Sequence, residues 1–166
     1  MMLAQPLPSS AGRGHVALLV ALLVALCPVA AMAGELPARF DPGRDAAADV
    51  AHAVALANGE GRRVIVDVGG EWCPWCHILD RFIAAHPGVS ARIQAHFVWV
   101  KVNFSKENRN EALLSRWPKI EGYPHLFVLD ANGALLHSED TSKLEAGRSY
   151  DPAKVAAFLD RWSIGH

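Results

Sequence analysis

The chain has 166 residues, 51% of them apolar and 20% charged, which is enough to bury one domain core and short for two. Sixteen Lys and Arg face 17 Asp and Glu, so the net charge of −1 excludes the basic footprint of a nucleic-acid binder and an acidic tail.

A short polar start carrying Arg13 and His15 leads into the apolar run VALLVALLVALC at residues 16–27. Ala31, Met32 and Ala33 then form a small-x-small cleavage signal before Gly34. This reads as a secretory signal peptide over residues 1–33, cleaved after Ala33. It predicts a periplasmic or secreted domain over residues 34–166, with no stable membrane association once processed. Retention as an anchor is the alternative, although the uncharged run of 18 residues is marginal for a bilayer and contains Pro28. Leu26 stands where a lipidated Cys27 would need a small residue before it.

Residues 45–58, DAAADVAHAVALAN, have helical composition, with Ala47, Val50, Val54 and Ala57 on one side and Gly59 as the stop. In RRVIVDVGG, Val64, Ile65, Val66 and Val68 form a β-branched run that ends at Gly69 and Gly70, as in a strand buried on both faces. EWCPWCH follows at residues 71–77. Trp75, Leu79, Phe82, Ile83 and His86 then recur at helical spacing until His86, Pro87 and Gly88 interrupt them. VSARIQAHF predicts further helix, and FVWVKVNF at residues 97–104 a strand. Asn110, Leu113, Leu114 and Trp117 mark another helix, stopped by Pro118. HLFVLD, the turn residues Asn132 and Gly133, and ALLHS predict a β-hairpin. After the stretch SEDTSKLEAGRSYDP, a closing helix opens at Asp151 and Pro152 with Val155, Phe158, Leu159 and Trp162 on one face.

EWCPWCH admits three chemistries: a redox dithiol, half of a zinc site, and the CxxCH attachment of c-type haem. A CxxC at a strand-to-helix junction is the context of the redox reading. Residues 34–166 contain two cysteines, Cys73 and Cys76. A disulfide between them closes too small a loop to stabilise the fold much. Pro74 suits the first helical position, which makes Cys73 the N-cap. Unpaired N–H groups and about half a positive charge at that helix end favour a thiolate there. Cys73 is thus the expected nucleophile, and Cys76, expected deeper, the resolving thiol.

Asp67 is the one acid inside an apolar strand, and burial raises a carboxyl pKa enough to make it a base candidate. Its bland alternative is a turn cap or an ion pair with Lys101. Lys101 itself either serves the site or snorkels to the surface. Trp75 either covers the dithiol or begins the apolar face of its helix. Trp99, Trp117 and Trp162 are expected in the core, and Glu71 in solvent. Haem would lack a methionine ligand, since Met1, Met2 and Met32 all precede residue 34. Zinc would find no second CxxC and no HxxxH to add to His77. His52, His86, His96, His125, His137 and His166 are dispersed.

VDVGGEWCPWC, KVN and EGYPHLFVLDANG resemble blocks of thioredoxins in the same order and with comparable spacing, across residues 63–136. The resemblance implies an α/β thioredoxin-like fold, with a central mixed sheet of four to five strands flanked by helices. It implies a thiol:disulfide oxidoreductase whose only redox group is the Cys73–Cys76 pair, with no bound cofactor or metal. Cys73 and Cys76 match the family's nucleophilic and resolving cysteines, Trp72 its flanking tryptophan, and Asp67 its buried aspartate, which takes a proton from the resolving thiol. Lys101 matches the lysine near that aspartate. Pro124 matches the proline that follows a cis bond, here from Tyr123, where the backbone faces the dithiol and binds extended substrate. Protein thiols or disulfides and an upstream electron donor or acceptor are the implied partners.

Pro-Trp between the cysteines departs from the Gly-Pro of thioredoxin and leaves the redox poise open. Reduction or isomerisation of protein disulfides is the preferred direction over oxidation. A metal-binding protein using the CxxCH thiolates and a redox-silent peptide-binding module of the same fold are the alternatives. Residues 138–152 exceed the family's minimal connection, and read as a partner contact, a cover for the sheet edge or a solvated extension.

Overall fold

Seven consecutive residues at the centre of the chain, Arg63–Gly69, form strand β1, and six of them are buried, as their β-branched composition requires. The computed structural model describes residues 34–165. The expected signal peptide, with Cys27, and His166 lie outside the described residues. Around β1 run, in chain order, α1 (Ala46–Glu60), α2 (Pro74–Ala85), α3 (Pro87–His96), β2 (Phe97–Asn103), α4 (Glu111–Leu114), β3 (His125–Leu129) and β4 (Leu135–Asp140). A 3₁₀ turn (Thr141–Leu144), the two-residue strands β5 (Glu145–Ala146) and β6 (Ser149–Tyr150), and α5 (Pro152–Arg161) follow. Among the described residues no helix is long and apolar enough to cross a membrane.

The main sheet has the order β2-β1-β3-β4, and β5 pairs only with β6. β1 runs parallel to β2 and antiparallel to β3, and β4 closes the edge as the second arm of the expected hairpin. This is a mixed sheet of four strands with helices on both faces. Side chains alternate across it with period two. Val64, Val66, Val68, Val100 and Phe127 meet Val50, Ala53 and Ala57 of α1 on one face. Ile65, Phe97, Leu126 and Val128 meet Leu79 and Phe82 of α2, Ile93 of α3, and Val155 and Phe158 of α5 on the other. Asp67 shares this second face with Ile65, two residues away, which turns it toward the helix that bears the cysteines.

Three expectations need correction. α1 ends at Glu60, and the left-handed stop is Gly61, at φ 65°, not Gly59. Its amide bonds the carbonyl of Ala57, the closure that calls for a residue without Cβ. The buried side of α1 is Ala46, Asp49, Val50, Ala53 and Ala57, while Ala47 is exposed and Val54 half-buried. Alanines carry too little apolar contrast to fix a stripe. The helix expected around Leu113 is a single turn entered from Asn110 at φ 49°, so Trp117 lies beyond it and packs on Phe127 at 4.7 Å.

The third correction concerns residues 138–152, which are not a solvated extension. β4 continues to Asp140, whose side chain accepts the Ser142 amide and starts the 3₁₀ turn. The stretch buries Glu139, Thr141, Leu144 and Tyr150, and the last two join the core on the α2 and α5 side. Leu144→Ala is therefore expected to cost about 2–5 kcal/mol of unfolding free energy in urea titrations. A loss below about 0.5 kcal/mol, as at a surface site, would show that the stretch only rests on the core.

Candidate active site

β1 delivers the chain to α2 through Gly69 and Gly70, and the close approach there needs glycine. A Cβ on Gly69 would lie 2.5 Å from the Cys76 sulfur and 3.0 Å from the Phe40 ring. Cys73 caps α2 in an extended conformation, with Pro74 as the first helical residue, as its sequence predicts. The Cys76 amide donates to the Cys73 Sγ at 3.1 Å. The two cysteines form a disulfide, with their Cα atoms 5.3 Å apart. Cys76 is not measurably deeper than Cys73, their exposures being 1% and 2%. Both sulfurs share one bond and one apolar pocket, in which Phe40, Trp75 and Tyr123 pack against them.

Trp72 is 54% exposed beside this pocket. Its Nε1–H donates to the Phe104 carbonyl at 2.7 Å, and its ring meets Tyr123 edge-on at 5.5 Å. Phe104 in turn stacks on Tyr123 at 5.0 Å. Trp72 and Phe104 border an open groove of about 710 Å³, lined also by Ser105, Lys106, Glu107 and Arg109. The Tyr123–Pro124 bond is cis, and Pro124 is buried. Trp75 is half-buried and meets the ring of Tyr150 edge-on at 5.7 Å, so it both covers the dithiol and enters the core.

Asp67 is 1% exposed and sits opposite Lys101 in the β1–β2 register. Lys101 Nζ reaches Asp67 Oδ2 at 3.0 Å and Asp80 Oδ1 at 2.7 Å. Lys101 thus stays buried between two acids and does not snorkel to the surface. Trp99 Nε1–H also donates to Asp67 Oδ2, at 3.3 Å, so this tryptophan serves the acid as well as the core. Asp67 Oδ1 is buried without a hydrogen-bond partner among the described residues. Burial pushes the Asp67 carboxyl above the usual carboxylate range, and the attraction of Lys101 opposes this without cancelling it. For Lys101 burial acts downward, but Asp67 and Asp80 together hold the ammonium above its ordinary value. The acid is therefore ion-paired, as its bland alternative holds, and its carboxyl is at the same time raised by burial.

Two participants escape sequence reasoning. Asp80 lies four residues after Cys76 on α2, a spacing that puts both on one face, but an acid on an amphipathic helix carries no signal of its own. Phe40 lies in a stretch without periodicity. It is 1% exposed, and the Lys101 ammonium sits 4.1 Å from its ring centroid. Glu71 is exposed, as expected, and its carboxylate also accepts the Phe40 amide at 3.0 Å. His77 Nε2 meets the Glu71 carbonyl at 2.9 Å. Among the described residues no group of three His, Cys, Asp or Glu side chains is placed to hold a metal ion. The arrangement can store two electrons in a sulfur pair and hold a proton at a buried carboxyl on the face of β1 that α2 covers.

Residues 45–131 match a family described as thioredoxin-like. The chain is 24% identical over 108 residues, 65% of its length, to the thiol:disulfide interchange protein DsbD of Klebsiella pneumoniae subsp. pneumoniae. It is 23% identical over 106 residues to the protein of that name from Citrobacter koseri. It spans 17% and 16% of the length of these two relatives. A disulphide isomerase from Xylella fastidiosa Temecula1 superposes with a TM-score of 0.64 at 24% identity, covering 76% of this chain and 96% of that one. The oxidised C-terminal domain of DsbD from Neisseria meningitidis gives 0.52 at 18% identity, covering 74% and 98%. The fold is the α/β thioredoxin-like one.

The raised Asp67 titration has a signed consequence for stability. The folded protein keeps this proton where the unfolded chain, with a carboxyl near pKa ~3.9, has released it. The favourable contribution is present below that value and is lost as pH rises through the folded one. Asp67→Asn removes the loss and leaves Lys101 its contact with Asp80. The stability of the variant relative to wild type is expected to grow as the pH rises above about 4 in urea titrations. A relative stability that falls over this range would show that the ion pair with Lys101 outweighs burial.

Proposed function

The chain belongs to the thioredoxin-like family, and from that premise we propose that it is a periplasmic thiol:disulfide oxidoreductase exchanging disulfides with proteins through Cys73 and Cys76. The observation that carries this reading is the disulfide at the start of α2, with a backbone amide aimed at the Cys73 sulfur. The printed function of the DsbD relatives, thiol:disulfide interchange, supports it. The compartment rests on the signal peptide read in residues 1–33.

In the reduced protein the Cys73 thiolate attacks one sulfur of a substrate disulfide. A Cys73–substrate bond forms, and the other substrate sulfur leaves as a thiolate. Cys76 then gives its proton to Asp67 and attacks the Cys73 sulfur. The Cys73–Cys76 bond closes, the second substrate sulfur leaves, and two electrons have passed to the substrate. An upstream dithiol donor returns the pair to the reduced state. Lys101 and Asp80 steady the carboxylate that alternates between proton-bound and free. Trp72, Tyr123 and Pro124 form the wall on which the substrate chain lies, with the groove beside Trp72 continuing it.

Electrons leave the pair in preference to entering it. The side chains packed on the sulfurs are Phe40, Trp75 and Tyr123, none of them cationic. The helix amide favours a thiolate and the apolar pocket opposes one, which limits how far the reduced form is stabilised. A strong oxidant needs that stabilisation to be large. Reduction or isomerisation is the direction this favours.

Cys76→Ser is expected to accumulate mixed disulfides between Cys73 and exported proteins, resolved on non-reducing gels and identified by mass spectrometry, and Cys73→Ser is expected to accumulate none. A Cys76→Ser protein with a reactive Cys73 and no captured partner would sink the assignment to protein substrates. Asp67→Asn is expected to slow release of the mixed disulfide by about a hundredfold near neutral pH, measured by stopped-flow quenching of tryptophan fluorescence.

A further inference from the structure

The stretch between the hairpin and α5 touches both walls of the dithiol pocket. The β3–β4 ladder ends at the pair His125 and Asp140. One step further, Thr141 enters the 3₁₀ turn, and its hydroxyl meets the residue just before β3. Thr141 is 2% exposed, and its Oγ1–H donates to the Pro124 carbonyl at 2.6 Å. Nine residues on, Tyr150 is 3% exposed and meets Trp75 edge-on at 5.7 Å and Phe82 at 5.8 Å. Trp75 and Tyr123, the residue before Pro124, are the half-buried side chains that pack on Phe40, Cys73 and Cys76.

We infer that residues 141–150 are a positioning element for protein substrates, Thr141 fixing the carbonyl of Pro124 and Tyr150 fixing the ring of Trp75. The inference rests on the disulfide-exchange reading and deepens it. A buried carbonyl that lost the Thr141 hydroxyl would either stay unpaired or turn to seek a partner, and it would carry Tyr123 with it. Trp75 without the Tyr150 ring would lose the edge contact that sets its tilt. Neither residue reaches the sulfurs, so the exchange step itself is left intact. A small disulfide needs only the sulfurs, whereas a protein disulfide must also fit the walls, and the two substrates separate these roles.

The test uses the purified protein with dithiothreitol as reductant, insulin as the protein disulfide and hydroxyethyl disulfide as the small one. Thr141→Val keeps the shape and removes the hydroxyl. It is expected to raise KM for insulin about fivefold, the worth of one hydrogen bond, with turnover of hydroxyethyl disulfide unchanged. Thr141→Ser, which restores the donor, is expected to recover the insulin KM. Tyr150→Leu gives a second, independent variant with the same expected split between substrates. An unchanged insulin KM in both Thr141→Val and Tyr150→Leu overturns the inference. So does a parallel fall on both substrates in step with lost stability, which marks a purely structural role. A wild-type protein inactive on both disulfides overturns the exchange reading itself, and the inference with it.

Discussion

A backbone amide in the first turn of α2 points at the Cys73 sulfur, and this contact ties the chemistry of the site to the architecture of the sheet. The amide is free to do so because the first turn of a helix has no carbonyl of its own to satisfy it. The direction of that helix is fixed by β1, a buried strand paired on both sides, and by two glycines that let the chain turn against Phe40 and Phe104. A different register of β1 would move Asp67 to the other face and separate it from the helix carrying the cysteines.

The cluster of Asp67, Lys101 and Asp80 follows from the same placement. Asp67 has little solvent, and Lys101 compensates it only in part, since that ammonium is shared with Asp80 and held over the Phe40 ring. A fully paired carboxylate would be a poor proton acceptor, because its ionised form would be too stable. A wholly unpaired one would stay protonated and destabilise the fold whenever it ionised. The partial compensation seen here leaves the carboxyl raised by burial although a cation is bonded to it. Trp99 and the unpartnered Oδ1 belong to the same compromise.

Residues 138–152 show how an addition to a fold acquires a role without touching the reacting atoms. Extending β4 and closing a short second hairpin places Leu144 and Tyr150 in the core while Thr141 reaches the proline loop. A stretch rich in polar and charged residues therefore contributes four buried side chains, Glu139, Thr141, Leu144 and Tyr150. Its apolar residues are too widely spaced to show a period, and only the packing of α2 and α5 selects which of them turn inward.

The sequence by itself determined the four strands of the main sheet, the capped helices α2 and α5, the location of the dithiol and the residues matching a thioredoxin-like site. Each of these rests on local chemistry: β-branched runs, Pro at a first helical position, Asp and Cys as caps, and blocks whose order is written in the chain. The tertiary structure alone decided the partners of Lys101, the participation of Phe40 and Asp80, the hydrogen bonds of Glu71 and Trp99, and the course of residues 138–152. Phe40 lies 33 residues before Cys73 in the chain yet shares one buried cluster with it, and no periodic pattern spans such a separation. The balance between burial and charge at Asp67 was likewise absent from the sequence, because desolvation depends on everything that surrounds a group and not on its neighbours in the chain.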